Sequence, residues 1–256
     1  MRRRRFIKAL ITSAAIVGAW EAVVRMGLVS PIIIAAPSDI VLAAASDGGV
    51  FLRAFATTLG EIAAAVLIAW TLGIATGLVI GSSRRLAAGT VPVLSSIFAG
   101  PLIILYPLLM AWLGIGALSK IAFGAFSGFF PIALNTIDGV RAIEPRYFAL
   151  ARAIGATRWQ TYARLIFPLA LPAMVSGLRI GTGLVVIGVL VTEMLASLGG
   201  IGFLISYHRT LFNTGHVYFG MLLALTLAVA VNIGLTRLDR RVGHWRLREQ
   251  AEEQPR

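Results

Sequence analysis

The segment Glu144-Pro145-Arg146-Tyr147-Phe148-Ala149-Leu150-Ala151-Arg152-Ala153-Ile154-Gly155-Ala156-Thr157-Arg158-Trp159-Gln160 lies between two long apolar runs. It continues as Thr161-Tyr162-Ala163-Arg164-Leu165-Ile166-Phe167-Pro168-Leu169-Ala170-Leu171-Pro172. Glu144-Pro145 starts a helix well, because proline suits the first helical position. Tyr147 to Ile154 continues it, and Gly155 fits a left-handed C-cap. Thr157 with Gln160 three residues later has the capping-box pattern and starts a second helix. Phe167-Pro168 and Leu171-Pro172 are expected to end that helix and lead into the next apolar run. The expected design is helix, glycine turn, helix, proline stop, within a basic loop spanning residues 138–172.

The apolar runs on either side set the class of protein. Of 256 residues, 58% are hydrophobic and only 13% are charged, and the mean hydropathy is +0.86. Soluble domains are about 45–50% apolar and about 25% charged. A helix crosses the hydrocarbon core with roughly 20 mostly apolar residues. Such runs fall at Phe6–Val24, Thr58–Gly81, Val91–Leu113, Ile121–Ile137, Ala173–Leu195 and Tyr218–Thr236. The expectation is an all-α integral membrane protein of about six spans, one transmembrane domain over residues 1–256, with both termini on one side.

The net charge of +12 does not read as a nucleic-acid footprint, because the basic residues sit between apolar runs. One set of flanks holds Arg2, Arg3, Arg4, Arg5, Lys8, Arg84, Arg85, Arg141, Arg146, Arg152, Arg158, Arg164, Arg237, Arg240, Arg241, Arg246, Arg248 and Arg256. The other holds only Arg25, Arg53, Lys120 and Arg209, so the count is 18 against 4. The positive-inside rule then expects both termini, the basic start (1–5), the loop at 138–172 and the tail (237–256) in the cytoplasm. Arg3-Arg4-Arg5-Phe6-Ile7-Lys8 looks like a twin-arginine export signal. No clear small-x-small site follows it and five further spans do, so an uncleaved first helix is expected.

Other residues carry expectations of their own. In Ala36-Pro37-Ser38-Asp39, Ser38 is a good N-cap for a short outer helix. Gly73, Gly77 and Gly81, four apart, let another helix approach closely. Pro92, Pro101 and Pro107 predict a kinked or broken third span. Irregular backbone at membrane depth is tolerated where it is buried in protein or lines a cavity. Pro101, Tyr106, Pro107 and, in the fifth span, Glu193 are therefore the pore-lining candidates. Glu21 and Glu61 are expected near the outer ends of their spans, in reach of Arg25 and Arg53, snorkelling or paired with them. There are no cysteines, and His208, His216 and His244 form no ligand-spaced cluster. Neither a metal centre nor another cofactor nor a catalytic group is expected.

The loop resembles the cytoplasmic motif of bacterial ABC importer permeases. The resemblance runs from Ala149-Leu150-Ala151-Arg152-Ala153-Ile154-Gly155, across nine residues, to Leu165-Ile166-Phe167-Pro168. The glutamate that usually opens the motif is Ala149 here, and its second alanine is Leu150. Gly155-Ala156-Thr157-Arg158-Trp159-Gln160, Pro168-Leu169-Ala170-Leu171-Pro172 and Gly177-Leu178-Arg179 extend the likeness. So do Pro37-Ser38-Asp39, Pro101-Leu102 through Gly114-Ile115-Gly116, Phe129-Phe130-Pro131 with Asn135-Thr136, and Gly199-Gly200-Ile201-Gly202. It is closest to permeases of the nitrate, sulfonate, taurine and bicarbonate group. Related permeases move pyrimidine vitamin precursors or riboflavin.

The resemblance implies a type I importer permease in the bacterial inner membrane. The loop would be its coupling helix, docking on the ATPase through Ala149, Ala151, Arg152, Gly155, Ala156, Thr157, Arg158 and Trp159. Small residues permit close docking, and the arginines suit acidic partners or anionic lipid. It further implies two ATPase subunits, a second permease copy and an extracytoplasmic solute-binding protein. This sequence has no G-x-x-x-x-G-K-[ST] loop, so ATP binding is expected on another chain. A stand-alone secondary transporter would predict an inverted repeat and intramembrane ion-coupling sites. The sequence carries no clear sign of either.

Overall fold

The computed structural model describes the backbone of residues 2–252 and the side chains of Lys8 and residues 11–237. Among these the regular elements are helices: α1 (Arg2–Arg25), α2 (Pro37–Gly81), α3 (Arg84–Ala99), α4 (Tyr106–Leu113) and α5 (Ala117–Arg141). They continue with α6 (Pro145–Ala153), α7 (Arg158–Thr161), α8 (Phe167–Leu195), α9 (Ile201–Thr210) and α10 (Thr214–Glu252). Among the described residues four stretches are long and apolar enough to span: Pro37–Gly81, Ala117–Arg141, Arg158–Leu195 and Thr214–Arg237. Arg84–Ala99 with Leu102–Leu113, bent by 87°, makes a fifth if the pair is one span. The first expected span falls in α1, where part of the side chains lie outside the described residues. The side chains of Arg2–Arg5 and of the tail beyond Arg237 lie outside them too.

Three local expectations are corrected. Ser38 does not cap a short helix. α2 starts at Pro37 and runs 45 residues without interruption, because proline is preorganised for the first helical position. The Ser38 N–H and hydroxyl both donate to Glu21, at 3.0 and 2.7 Å, and Asp39 accepts from the Ala36 N–H at 3.3 Å. Second, Pro168 and Pro172 do not stop the helix. A π-turn at Tyr162–Ile166 precedes α8, with the Phe167 N–H bonded back to the Tyr162 carbonyl. This wider turn gives the Pro168 ring the room that an α turn denies it. Third, Glu61 pairs with Lys120 at 2.6 Å rather than with Arg53. Arg53 is eight residues away on the same helix, roughly 12 Å along its axis at 1.5 Å per residue.

The expected pairing of Glu21 with Arg25 is present at 3.0 Å. The expected break in the third span falls at Gly100-Pro101, where a 3₁₀ turn (Leu102–Leu105) joins α3 to α4.

Packing divides the chain into two compact units. One comprises Met1–Thr58 with Glu193–Thr226; the other comprises Leu59–Thr192 with Leu227–Arg256. In the larger unit α5 is central, with most of its residues between Phe123 and Val140 buried. The α2 glycine row meets it directly. A Cβ on Gly73 would stand 2.8 Å from Ile132 Cβ, and one on Gly77 would stand 2.9 Å from the Ala133 carbonyl oxygen. Gly128 and Gly181 allow α5 and α8 an equally close approach. Helices inside a membrane gain no hydrophobic drive against lipid, so backbone proximity and van der Waals contact hold them together. Trp70 of α2 donates to the Thr182 hydroxyl of α8 at 2.9 Å. In the smaller unit Gly220 packs against Ile205 and Phe51, and Phe51 stacks beside His208 and His216.

Candidate functional site: the capped helix pair at residues 144–166

Glu144 is the N-cap of α6 and Pro145 its first residue, as expected. The helix ends in a Schellman motif. Gly155, at φ +69°, lies in the left-handed region. Its N–H reaches the Arg152 carbonyl at 3.0 Å, and the Ala156 N–H reaches the Ala151 carbonyl at 2.9 Å. These two bonds satisfy carbonyls that a helix end leaves without partners. Two residues later the capping box closes. The Gln160 N–H donates to Thr157 Oγ1 at 3.3 Å, and the Thr157 N–H donates to Gln160 Oε1 at 2.8 Å. The two helices thus meet at a junction whose backbone groups are satisfied locally.

A buried cluster roots the pair in the larger unit. Val140, Ile166, Ala170 and Met174 form it, with Ile143, Phe148, Tyr162 and Leu171 packed against it. Among its exposed side chains are three large apolar ones. Leu150 is 61% exposed, Ile154 74% and Trp159 78%. A groove of about 360 Å³ between the helices is lined by Tyr147, Leu150, Ala151, Ile154, Gln160 and Leu165, among others. Ala156 and Arg164 also reach it.

The expected site residues take distinct places here. Ala151 and Ala156 line the groove. Ala149, Arg158 and Trp159 are exposed, and Arg152 lines a separate cavity behind α6. Gly155 stands in open space, with no atom within 4 Å of a Cβ placed on it. Thr157 serves as the cap. The groove walls Leu150, Ile154 and Tyr147 were not among the expected site residues. The signal for two of them was there in the i, i+4 spacing of Leu150 and Ile154, which puts both on one helix face.

The pore candidates fall in both units: Pro101, Tyr106 and Pro107 in the larger and Glu193 in the smaller. Pro101 and Pro107 are exposed on the bent α3–α4 segment. Tyr106 is fully buried, edge-on to Phe123. Glu193, in the smaller unit, is 1% exposed. It accepts from the Thr58 hydroxyl at 2.8 Å and from the Gly202 N–H at 2.8 Å, and Thr58 Oγ1 accepts the Ile201 N–H at 2.9 Å. Its carboxylate thus satisfies the start of α9. Gly200 at φ +104° makes the turn, and a side chain there would overlap the Glu193 carboxylate.

A multi-helix membrane bundle that presents a rigid, apolar-faced helix pair at one loop has the build of a transporter subunit. The particular kind follows from its relatives. Residues 69–244 match the family described as binding-protein-dependent transport system inner membrane component. The chain is 27% identical to a putative aliphatic sulfonates transport permease protein of Bacillus subtilis, over 96% of this chain and 90% of that protein. It is 28% identical to the taurine transport system permease protein of Escherichia coli, over 94% and 90%. Its fold is that of a chain in the inward-facing MetNI methionine ABC transporter, with TM-score 0.68 and 19% identity, covering 77% of this chain and 97% of that one. The protein belongs to the binding-protein-dependent transport system inner membrane component family, the permease components of ABC importers.

Proposed function

We propose that two copies of this chain form the translocation pathway of an importer driven by two ATPase subunits. Both termini and the 144–166 helix pair face the cytoplasm, and an extracytoplasmic binding protein delivers the solute. The supporting observation is the exposed apolar face of Leu150, Ile154 and Trp159 on a helix pair locked by a Schellman motif and a capping box. Exposed apolar side chains grouped on a rigid element are a docking surface for a protein partner. ATP closure of the ATPases then biases the permease between inward and outward access, through differential affinity for the two states. The exposed Pro101 and Pro107 on the bent segment are the proposed pore-lining elements. The proposed substrate is a small anion such as a sulfonate, taurine or nitrate, in line with several relatives that the chain resembles. A pyrimidine precursor or riboflavin is the second reading.

The test is tagged purification from native membranes, with mass spectrometry of co-purifying chains, run beside Ala151→Glu. That change places a charge in the groove. The expected result is a P-loop ATPase with the parent and its loss with the variant. Absence of any ATPase, under conditions that keep other membrane complexes intact, would sink the docking reading. A co-purified binding protein would then be screened by thermal shift against taurine, alkanesulfonates, nitrate and riboflavin.

A further inference from the structure

Behind α6, away from the apolar groove, lies a second cavity of about 510 Å³. Its walls come from the α2–α3 turn, the end of α5 and α6, all in the larger unit. Three of the residues lining it are arginines: Arg84, Arg141 and Arg152. No carboxylate lines it. None of the three guanidinium groups has an ion-pair or hydrogen-bond partner among the described residues. The nearby Glu144 is held by Arg146 at 2.9 Å, and Ser82 spends its hydroxyl on the Leu78 carbonyl at 2.6 Å. Three like charges around one cavity repel each other, and an anion between them reverses the sign of that term. The remaining lining is apolar: Val140, Ile143 and Phe148. These three belong to the cluster that roots the loop to the spans.

Helical spacing separates this site from the docking face. Phe148 and Arg152 are four apart and look into the cavity, whereas Tyr147, Leu150, Ala151 and Ile154 share the opposite side and line the groove. A partner docked in the groove leaves the arginine cavity to another ligand. Guanidinium groups bind phosphate in bidentate, charge-assisted pairs. Clustered basic side chains at the cytoplasmic ends of membrane helices select anionic headgroups. We propose that Arg84, Arg141 and Arg152 form a phosphate-binding site. An anionic phospholipid fills it with its headgroup, its apolar part following the Val140–Phe148 wall. The site stands apart from the docking reading, because it requires only the chain and its membrane.

The experiment is native mass spectrometry of the full chain in detergent, titrated separately with phosphatidylglycerol, phosphatidylcholine and inorganic phosphate. The expected result is one phosphatidylglycerol retained per chain, with phosphatidylcholine held far less. Arg84→Gln combined with Arg141→Gln weakens retention about tenfold or more, the scale of one to two lost charge-assisted bonds. Arg146→Gln, on α6 beside the cavity but not lining it, leaves retention unchanged. If the double variant fails to fold, Arg141→Lys keeps the charge but not the bidentate geometry, and it weakens retention by a smaller factor. Inorganic phosphate bound by the parent and lost in the double variant, without any preference between the two lipids, keeps the phosphate site and assigns it a soluble ligand. Equal retention of all three probes by parent and double variant overturns the proposal.

Discussion

Replacing Gly155 by alanine isolates the contribution of one backbone conformation. At φ +69° the residue sits where an L side chain is strained, yet a Cβ there meets nothing within 4 Å. Steric overlap with neighbours is therefore absent, and the whole penalty is conformational, roughly 1–2 kcal/mol for a non-glycine residue in the left-handed region. That energy opposes the turn that sets α6 against α7. If the docked shape needs the turn, affinity for the ATPase subunit falls about 5- to 30-fold, the equivalent of that penalty. Gly155→Asn is the internal standard, since asparagine visits the left-handed region more readily than alanine. The assay is a binding titration between the solubilised permease and its ATPase, with helix content checked by circular dichroism. The order expected is parent, then asparagine, then alanine. Equal affinity for all three, or asparagine weaker than alanine, would refute the assignment of the turn to docking.

Two further outcomes follow from packing and capping. Gly77→Ala and Gly48→Ala are the same change on the same helix, but a Cβ at 77 meets Thr136 and Ala133 while one at 48 meets nothing. The first should lower the thermal midpoint in detergent, by overpacking of about 1–3 kcal/mol. The second should leave it level or raise it, because alanine favours a helix by about 1 kcal/mol over glycine. Glu193→Gln turns one of two accepting oxygens into a donor facing either Thr58 or the Gly202 N–H. The loss is about 1.5–3 kcal/mol for a hydrogen bond to a charged group, and hydrogen exchange at Ile201 and Gly202 should quicken. Unchanged exchange there would mean that the carboxylate does not hold the start of α9.

The readings that survived from sequence alone share a short range. Pro145, Gly155 and the Thr157–Gln160 box act within one helical turn, so their geometry follows from residue type and spacing. The apolar runs were legible for a similar reason, since a spanning helix satisfies its own backbone and needs only length and hydropathy to declare itself. The prolines show where local reading stops. Pro101 does break its segment, but Pro168 and Pro172 sit in continuous helix because the preceding π-turn absorbs the first of them.

Fates that depend on distant partners were decided only by tertiary packing. Nearness along the chain paired Glu21 with Arg25 correctly but gave Glu61 the wrong cation, because Lys120 arrives from a different helix. The partners of Glu193 were equally out of reach of local reading: Thr58, 135 positions earlier, and the Gly202 N–H both donate to its carboxylate. Tyr106 lies on the very segment that its prolines single out, but packing beside Phe123 buries it. The sequence by itself determined that the chain is helical and apolar, and where the α6–α7 pair starts, turns and caps. Only the tertiary structure decided which face of each helix is covered and which charge meets which. Those choices rest on side chains and backbones brought together across the chain, and no local dihedral or hydropathy preference encodes them.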